Sequence, residues 1–423
     1  MRDGAAVLEA LGELPGGPAL LDIAHEREDV ALVGGAVRDL LLERQPRELD
    51  VVVEREAAEF AHELASRLGA PGDTGSAELV EMSSHERFGT ALLRWKDGEI
   101  DIATRRTESY AAPGALPDVR AGTADEDLRR RDFTVNAIAV PLGGPRRGQP
   151  IAADHAIEDL AARRLRVLHD RSFVDDPTRL LRLARYSARL GFQPEPHTAA
   201  LVREAIAAGA LETVSLARVG AELRLALAEA DPVAAFSALE ELGVFAALER
   251  RLRFDPELAR RALALLPEDG RADLLLLASL LLPVTLDPSE DPEPVMFELL
   301  DGWELTADDR RRVMRTALVA PALETEMEVA ELPSELHEVL VWHPIESVAL
   351  GGALGSASTE AREWIRTLRH VRLEITGADL LAAGIPSGPE IGRRLSVVLD
   401  RKLDRELDDG REAELRAAIE DRG

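Results

Sequence analysis

Two carboxylates one residue apart suggest metal chemistry: Glu48-Leu49-Asp50 opens a run to Val53 whose branched apolar residues predict a strand. On a strand, residues i and i+2 share a face, so Glu48 and Asp50 point together while Leu49 turns into the core. Hard oxygen ligands of this kind suit magnesium, whose shell is completed by water and phosphate oxygens. Asp101 supplies a third acid, in a second strand-like run from Ile100 to Thr104. Metal ions held by three carboxylates would lower the pKa of an attacking hydroxyl and neutralise a departing pyrophosphate.

Three further segments offer partners for phosphate. Val33-Gly34-Gly35-Ala36-Val37-Arg38-Asp39 ends a strand and opens a helix, so its backbone N–H groups and the positive end of the helix dipole face one spot. Gly34 and Gly35 let a phosphate approach the backbone, and Arg38 reaches the same anion from the first turn. Asp127-Leu128-Arg129-Arg130-Arg131-Asp132-Phe133-Thr134-Val135-Asn136-Ala137 places three arginines ahead of an expected helix start. In Asp175-Asp176-Pro177-Thr178-Arg179, proline suits a first helical turn and an aspartate suits the cap. Asp176 and Arg179 then stand three apart on one helix face, an acceptor and donors at the spacing of a nucleobase edge. Arg182 and Arg185 are left for phosphate. Each segment has a plainer reading as a tight turn, a solvated charge run or a capped helix with an internal ion pair.

The elements that must position these residues divide the chain in two. From about residue 29 to 140, short β-type runs (Val30 to Val33, Leu49 to Val53, Leu79 to Met82, Thr90 to Trp95, Ile100 to Thr104) alternate with helical ones. Lys96-Asp97-Gly98 supplies a turn that pairs the last two as a hairpin. Beyond about Asp154 helical periodicity takes over, as in Leu180, Leu181, Leu183, Ala184, Ala188 and Leu190. Asp287 to Pro294 reads as an exposed loop, and Pro386-Ser387-Gly388-Pro389 as a joint between helices.

Composition bounds the reading. A chain of 423 residues that is 46% hydrophobic can bury several cores. The net charge of −27 argues against a uniformly basic surface, so any nucleic-acid site must be locally basic. Residues 127 to 192 provide such an island, with thirteen arginines against eight acids. The absence of cysteine removes disulfides, thiolate metal sites and cysteine nucleophiles together. The longest apolar run, Leu274 to Leu282, is half a membrane span. With no signal or transit pattern at the N-terminus, a cytoplasmic location is expected.

Taken in order, the motifs from Val30 to Phe192 resemble the bacterial class of tRNA nucleotidyltransferases, the CCA-adding enzymes and their poly(A) polymerase kin; Thr376 to Gly392 is more distantly similar. The resemblance implies an α+β fold, a polymerase-β-type head (1-150) followed by an all-helical neck (151-230), body (231-335) and tail (336-423). It implies addition of C and A to the tRNA 3′ acceptor end from CTP and ATP, with Mg2+ as cofactor. By likeness, Glu48, Asp50 and Asp101 are the catalytic metal ligands, with Glu48 standing where the family has an aspartate. Gly34, Gly35, Arg38, Arg131, Asp132 and Asn136 become nucleotide-binding residues, Asp176 and Arg179 the base-selecting pair, and Arg182 and Arg185 phosphate contacts. CC-only, A-only and poly(A) addition, and a catalytically impaired RNA-binding relative, are the alternatives.

Overall fold

A computed structural model describes residues 2–68, 79–85, 89–96 and 98–420. Asp97, part of the expected turn, lies outside them. The chain divides into two units, Met1–Ser215 and Leu216–Gly423.

The first unit begins with α1 (Gly4–Gly12), α2 (Gly17–Ala24), β1 (Ala31–Val33), α3 (Gly34–Leu41), β2 (Leu49–Val53) and α4 (Ala57–Leu68). Next come β3 (Leu79–His85), β4 (Thr90–Trp95), β5 (Gly98–Thr104), β6 (Arg106–Ser109), β7 (Asp118–Ala121) and α5 (Ala124–Arg129). It closes with β8 (Ile138–Pro141), β9 (Ile151–Ala152), α6 (Ala156–Ala162), β10 (Arg164–Leu165), α7 (Ser172–Asp175), α8 (Thr178–Leu190), β11 (Gln193–Pro194) and α9 (Pro196–Ala207). Seven strands form one mixed sheet in the order β3-β4-β5-β2-β1-β8-β9. Within it β2 and β5 run parallel and their neighbours antiparallel.

Each expected strand is present, and β4 and β5 pair as anticipated. Helix α4 is amphipathic: Ala57, Phe60, Ala61, Leu64 and Leu68 recur at helical spacing and are buried. Helix α3 buries Ala36, Val37, Leu40 and Leu41.

Three local expectations need correction. The arginine run does not precede an α-helix. Arg129 ends α5, whose Thr123 and Glu126 form a reciprocal capping box, and only a 3₁₀ turn, Thr134–Asn136, follows. The apolar residues of Ile138–Pro141 are claimed by the sheet, where β8 pairs with β1. The expected loop at Asp287 to Pro294 is shorter, because Pro292 starts a helix that Asp291 caps. Finally, β10 and β11 interrupt the helical stretch as a short parallel pair.

The second unit is helical, running from Leu216–Leu227 to Arg411–Glu420. The apolar run seen in the sequence lies in the helix Ala272–Leu286, buried continuously from Leu274 to Leu282. An all-round apolar helix belongs in a core. Among the described residues no helix is long and apolar enough to cross a membrane. Ile375, Leu380, Val398, Ala417 and Ala418 form a small core of their own among the last helices.

Candidate active site

The parallel pairing of β2 with β5 sets Leu49 against Ile100 and Asp50 against Asp101. Ile100 and Leu49 are buried, which turns the acids that flank them to the other face. Glu48 lies one residue before β2 and is exposed. Carboxylate oxygens of Glu48, Glu99 and Asp101 lie within 4.8 Å of one another, close enough for one cation. Hard oxygens converging this tightly fit a divalent ion. Arg94 already pairs with Glu99 at 2.6 Å, so part of that charge is neutralised.

Asp50 is half-buried beside this trio. Burial, the Glu48 carboxylate and, more weakly, Asp101 push its pKa up to about 7 against the pull of Arg131 and Arg38. Asp101 is raised as well, by burial and then by Glu48 and Glu99. Carboxylates close enough to raise one another's pKa, despite the arginines nearby, are the electrostatic signature of a site built for positive charge.

Gly34 begins α3 with φ of +67°, and a Cβ there would lie 2.7 Å from Arg131 Nη1 and 3.1 Å from Asp50 Oδ2. This glycine is required both by its backbone and by the close packing of an arginine and a carboxylate against it. Arg131 Nη2 donates to Asp127 Oδ2 at 3.1 Å, while its buried Nε has no hydrogen-bond partner among the described residues. A guanidinium beside a helix N-terminus and an acidic cluster suits a phosphate oxygen.

Arg38 does not point freely into the site. It is buried, forks onto Asp39 through Nε (2.8 Å) and Nη2 (3.0 Å), and donates from Nη1 to Asn136 Oδ1 at 2.6 Å. Asn136 in turn donates to Asp132 Oδ1 at 2.9 Å. Asp132 Oδ2 accepts from Arg182 Nε (2.9 Å) and Nη2 (2.6 Å), joining α8 to the arginine segment. Burial alone would raise Asp132, but Arg182 and the Asn136 hydrogen bond hold it well below the usual carboxylate range.

Asp176 lies outside α8, where its Oδ1 accepts from Thr178 N (3.1 Å) and Thr178 Oγ1 (2.6 Å). The expected shared helix face is therefore absent. Arg179, buried, donates to Ser172 Oγ at 2.7 Å and to the carbonyl of Arg130 at 2.8 Å. The guanidinium carbons of Arg38, Arg182, Arg185 and Arg189 lie 5.1–5.8 Å from the ring centre of Tyr186. That ring stands edge-on to Phe133.

Residues 30–166 match the family model of the poly A polymerase head domain, and residues 191–254 that of the probable RNA and SrmB-binding site of polymerase A. The chain is 33% identical over 411 residues to the A-adding tRNA nucleotidyltransferase of Geobacter sulfurreducens, spanning 92% of this chain and 45% of that protein. It is 32% identical over 418 residues to the multifunctional CCA protein of Xanthomonas euvesicatoria pv. vesicatoria, spanning 87% of this chain and 96% of the relative. The chain belongs to the bacterial CCA-adding tRNA nucleotidyltransferase family.

Solved CCA-adding enzymes have the same fold. The Thermotoga maritima CCA-adding enzyme complexed with tRNA CCA matches with a TM-score of 0.78 and 27% identity, over 99% of this chain and 98% of that one. A CCA-adding enzyme complexed with CTP matches with the same score and identity, over 99% of each chain. The chain spans only 45%, 54% and 23% of the length of three A-adding relatives.

In this CCA-adding family member, four residues at the site went unassigned in the sequence. Glu99 was signalled by Glu99-Ile100-Asp101, which repeats the acid-apolar-acid pattern of residues 48 to 50. Tyr186 was signalled by its place one turn beyond Arg182. Asp39 and Asp127 carried no signal, because only tertiary packing shows which arginines they hold.

Proposed function

We propose that the chain is a magnesium-dependent, template-independent nucleotidyltransferase that adds C and A from CTP and ATP to the tRNA 3′ acceptor end, releasing pyrophosphate. The observation that carries this reading is the register of Asp50 against Asp101, with Glu48 and Glu99 beside them and Gly34 and Arg131 facing them. Near full-length similarity to a multifunctional CCA protein supports it.

In this reading the terminal 3′-hydroxyl gives up its proton to solvent as its oxygen attacks the α-phosphorus, a new P–O bond forms, and the bond from the α-phosphorus to the bridging β-phosphate oxygen breaks, pyrophosphate leaving. Glu48, Asp50 and Asp101, with Glu99 adjacent, would hold magnesium, which would supply positive charge against the triphosphate and lower the pKa of the attacking hydroxyl. Arg131, whose Nη1 packs against Gly34, supplies positive charge to the triphosphate. Arg38 and Asp132 act through their partners, stiffening α3 and α8 about the nucleotide. Arg182 and Arg185 supply positive charge on the same side, and Asp176 and Arg179 read the base edge by exchanging their present hydrogen bonds for it.

The four-part division into head, neck, body and tail belongs to this proposal, supported at its C-terminal end by the separate small core of the last helices. A cytoplasmic location accompanies a tRNA-processing role. The similarity to A-adding relatives supports a second reading, addition of the terminal A alone.

The deciding experiment incubates the protein and magnesium with tRNAs ending before the first C, after C and after CC, supplying CTP, ATP or both. The CCA reading expects all three to be completed. Extension of only the CC-ending tRNA establishes the A-adding reading, and no extension of any of them refutes both.

A further inference from the structure

The sheet face that carries the acids continues past them. Glu99 lies two residues before Asp101 on β5, hence on the same face. The registers of β3, β4 and β5 set Glu81, Arg94 and Glu99 side by side in one row across the sheet, next to the row that holds Asp50 and Asp101. Arg94 is the middle member. Its Nε donates to Glu99 Oε2 at 2.6 Å and its Nη1 to Glu81 Oε2 at 3.1 Å.

Two cations therefore compete for the single charge of Glu99. Arg94 holds one of its oxygens, yet the same carboxylate comes within 4.8 Å of Glu48 and Asp101, close enough to share an ion with them. The arginine pair is the weaker claim. The Arg94 side chain is 48% exposed and that of Glu99 26%, and an ion pair in contact with water is worth little against a doubly charged ion between three carboxylates. Arg94 would not be stranded by the exchange, because Glu81 stays within its reach.

We propose that Arg94 is a positioning residue for the metal centre, which holds the Glu99 carboxylate in reserve and yields it to the divalent ion while remaining on Glu81. The inference rests on the reading of Glu48, Asp50 and Asp101 as metal ligands. Each ion that binds must displace Arg94 from Glu99, so Arg94 weakens binding of the ion by acting through Glu99. A cross-strand ion pair that only fastened β4 to its neighbours would leave the ion's affinity alone.

The test titrates Mn2+, a hard ion suited to carboxylates, into the full chain without nucleotide, reading the free ion by electron paramagnetic resonance. Salt is kept high to screen charges that are not in contact. Arg94→Gln should tighten Mn2+ binding about two- to fivefold, the scale of one part-exposed ion pair, and Glu99→Gln should weaken it. In the Glu99→Gln background, adding Arg94→Gln should leave Kd unchanged. Equal Kd for the unaltered protein and folded Arg94→Gln would overturn the proposal and, with a lowered Tm, establish the purely structural role. Equal tightening in both backgrounds would overturn it as well, since that is a general charge effect. Should Arg94→Gln not fold, Glu81→Gln takes its place: it leaves Arg94 with Glu99 alone and should weaken Mn2+ binding only while Glu99 is present, and an equal effect in the Glu99→Gln background would overturn the proposal. Failure of the unaltered protein to bind Mn2+ would refute the metal reading itself and this inference with it.

Discussion

Asp50 on β2 lies directly across the parallel register from Asp101 on β5. The spacing of these two acids is therefore fixed by backbone hydrogen bonds of the sheet rather than by a loop. Removing either acid should stop nucleotide addition while leaving the fold intact. Asp50→Asn and Asp101→Asn are each expected to lower kcat by at least about 10²-fold, the scale of loss when reacting groups are misplaced. Single-turnover extension of tRNA, with circular dichroism as a control for folding, measures this.

The same proximity makes the metal-free protein sensitive to pH. Asp50 is raised to about 7, so its neutral form suits the folded state and its charged form does not. Its contribution to stability is fully present below the ordinary value of 3.8 and is lost as pH rises through about 7. In EDTA, Asp50→Asn should therefore raise Tm at pH 8 and change it little at pH 4. Magnesium at pH 8 should raise the Tm of the unaltered protein and not that of the variant. Thermal scans over this grid decide it, and an equal Tm for both proteins at pH 8 in EDTA would contradict the electrostatic account.

Gly34→Ala places a methyl group 2.7 Å from Arg131 Nη1 on a backbone of positive φ. The left-handed conformation alone costs about 1–2 kcal/mol with a side chain. Arg131 must also shift, so kcat/KM for CTP and ATP should fall further than a stability loss of that size explains. Denaturant melts beside initial-rate kinetics separate the two effects.

Asp132 is buried beneath Arg182 and Asn136. Truncation in Asp132→Ala leaves Arg182 without that carboxylate partner and should destabilise the protein by about 1–3 kcal/mol, since Arg182 is one-third exposed. Because its folded pKa is depressed, the carboxylate stabilises the fold above its ordinary 3.8, and that contribution is lost as pH falls below it. Asp132→Asn should accordingly flatten the acid limb of the stability profile, as followed by urea midpoints between pH 3 and 6.

Tyr186 offers its ring to four arginines, two of them expected phosphate contacts. Cation–π contacts are worth about 0.5–2 kcal/mol each. Tyr186→Leu should raise KM for CTP and ATP several-fold with a smaller change in kcat, and Tyr186→Phe should restore it. Equal kinetics for the leucine and phenylalanine variants would show that the ring does not position those arginines.

Much of the fold was legible because its signals are local. The strand and helix periods, the glycine pair before a helix and the long apolar run of residues 274 to 282 needed no partner to be read. The helix expected after the arginine segment is absent for the opposite reason. Phe133 to Val140 is apolar enough for either period, and pairing of β8 with β1 decided for the sheet.

By itself, the sequence determined which chemistry was available: oxygen ligands at Glu48, Asp50 and Asp101, a glycine-opened helix, and an arginine island in an acidic chain. Only tertiary structure decided how each charge is spent. It brought Glu99 into the acidic cluster, tied Arg38 to Asp39 and Asn136, and placed Asp132 under Arg182. The reason is that ligand type is a property of a residue, whereas the partner that neutralises a buried charge is set by residues as far as fifty or ninety-eight positions away.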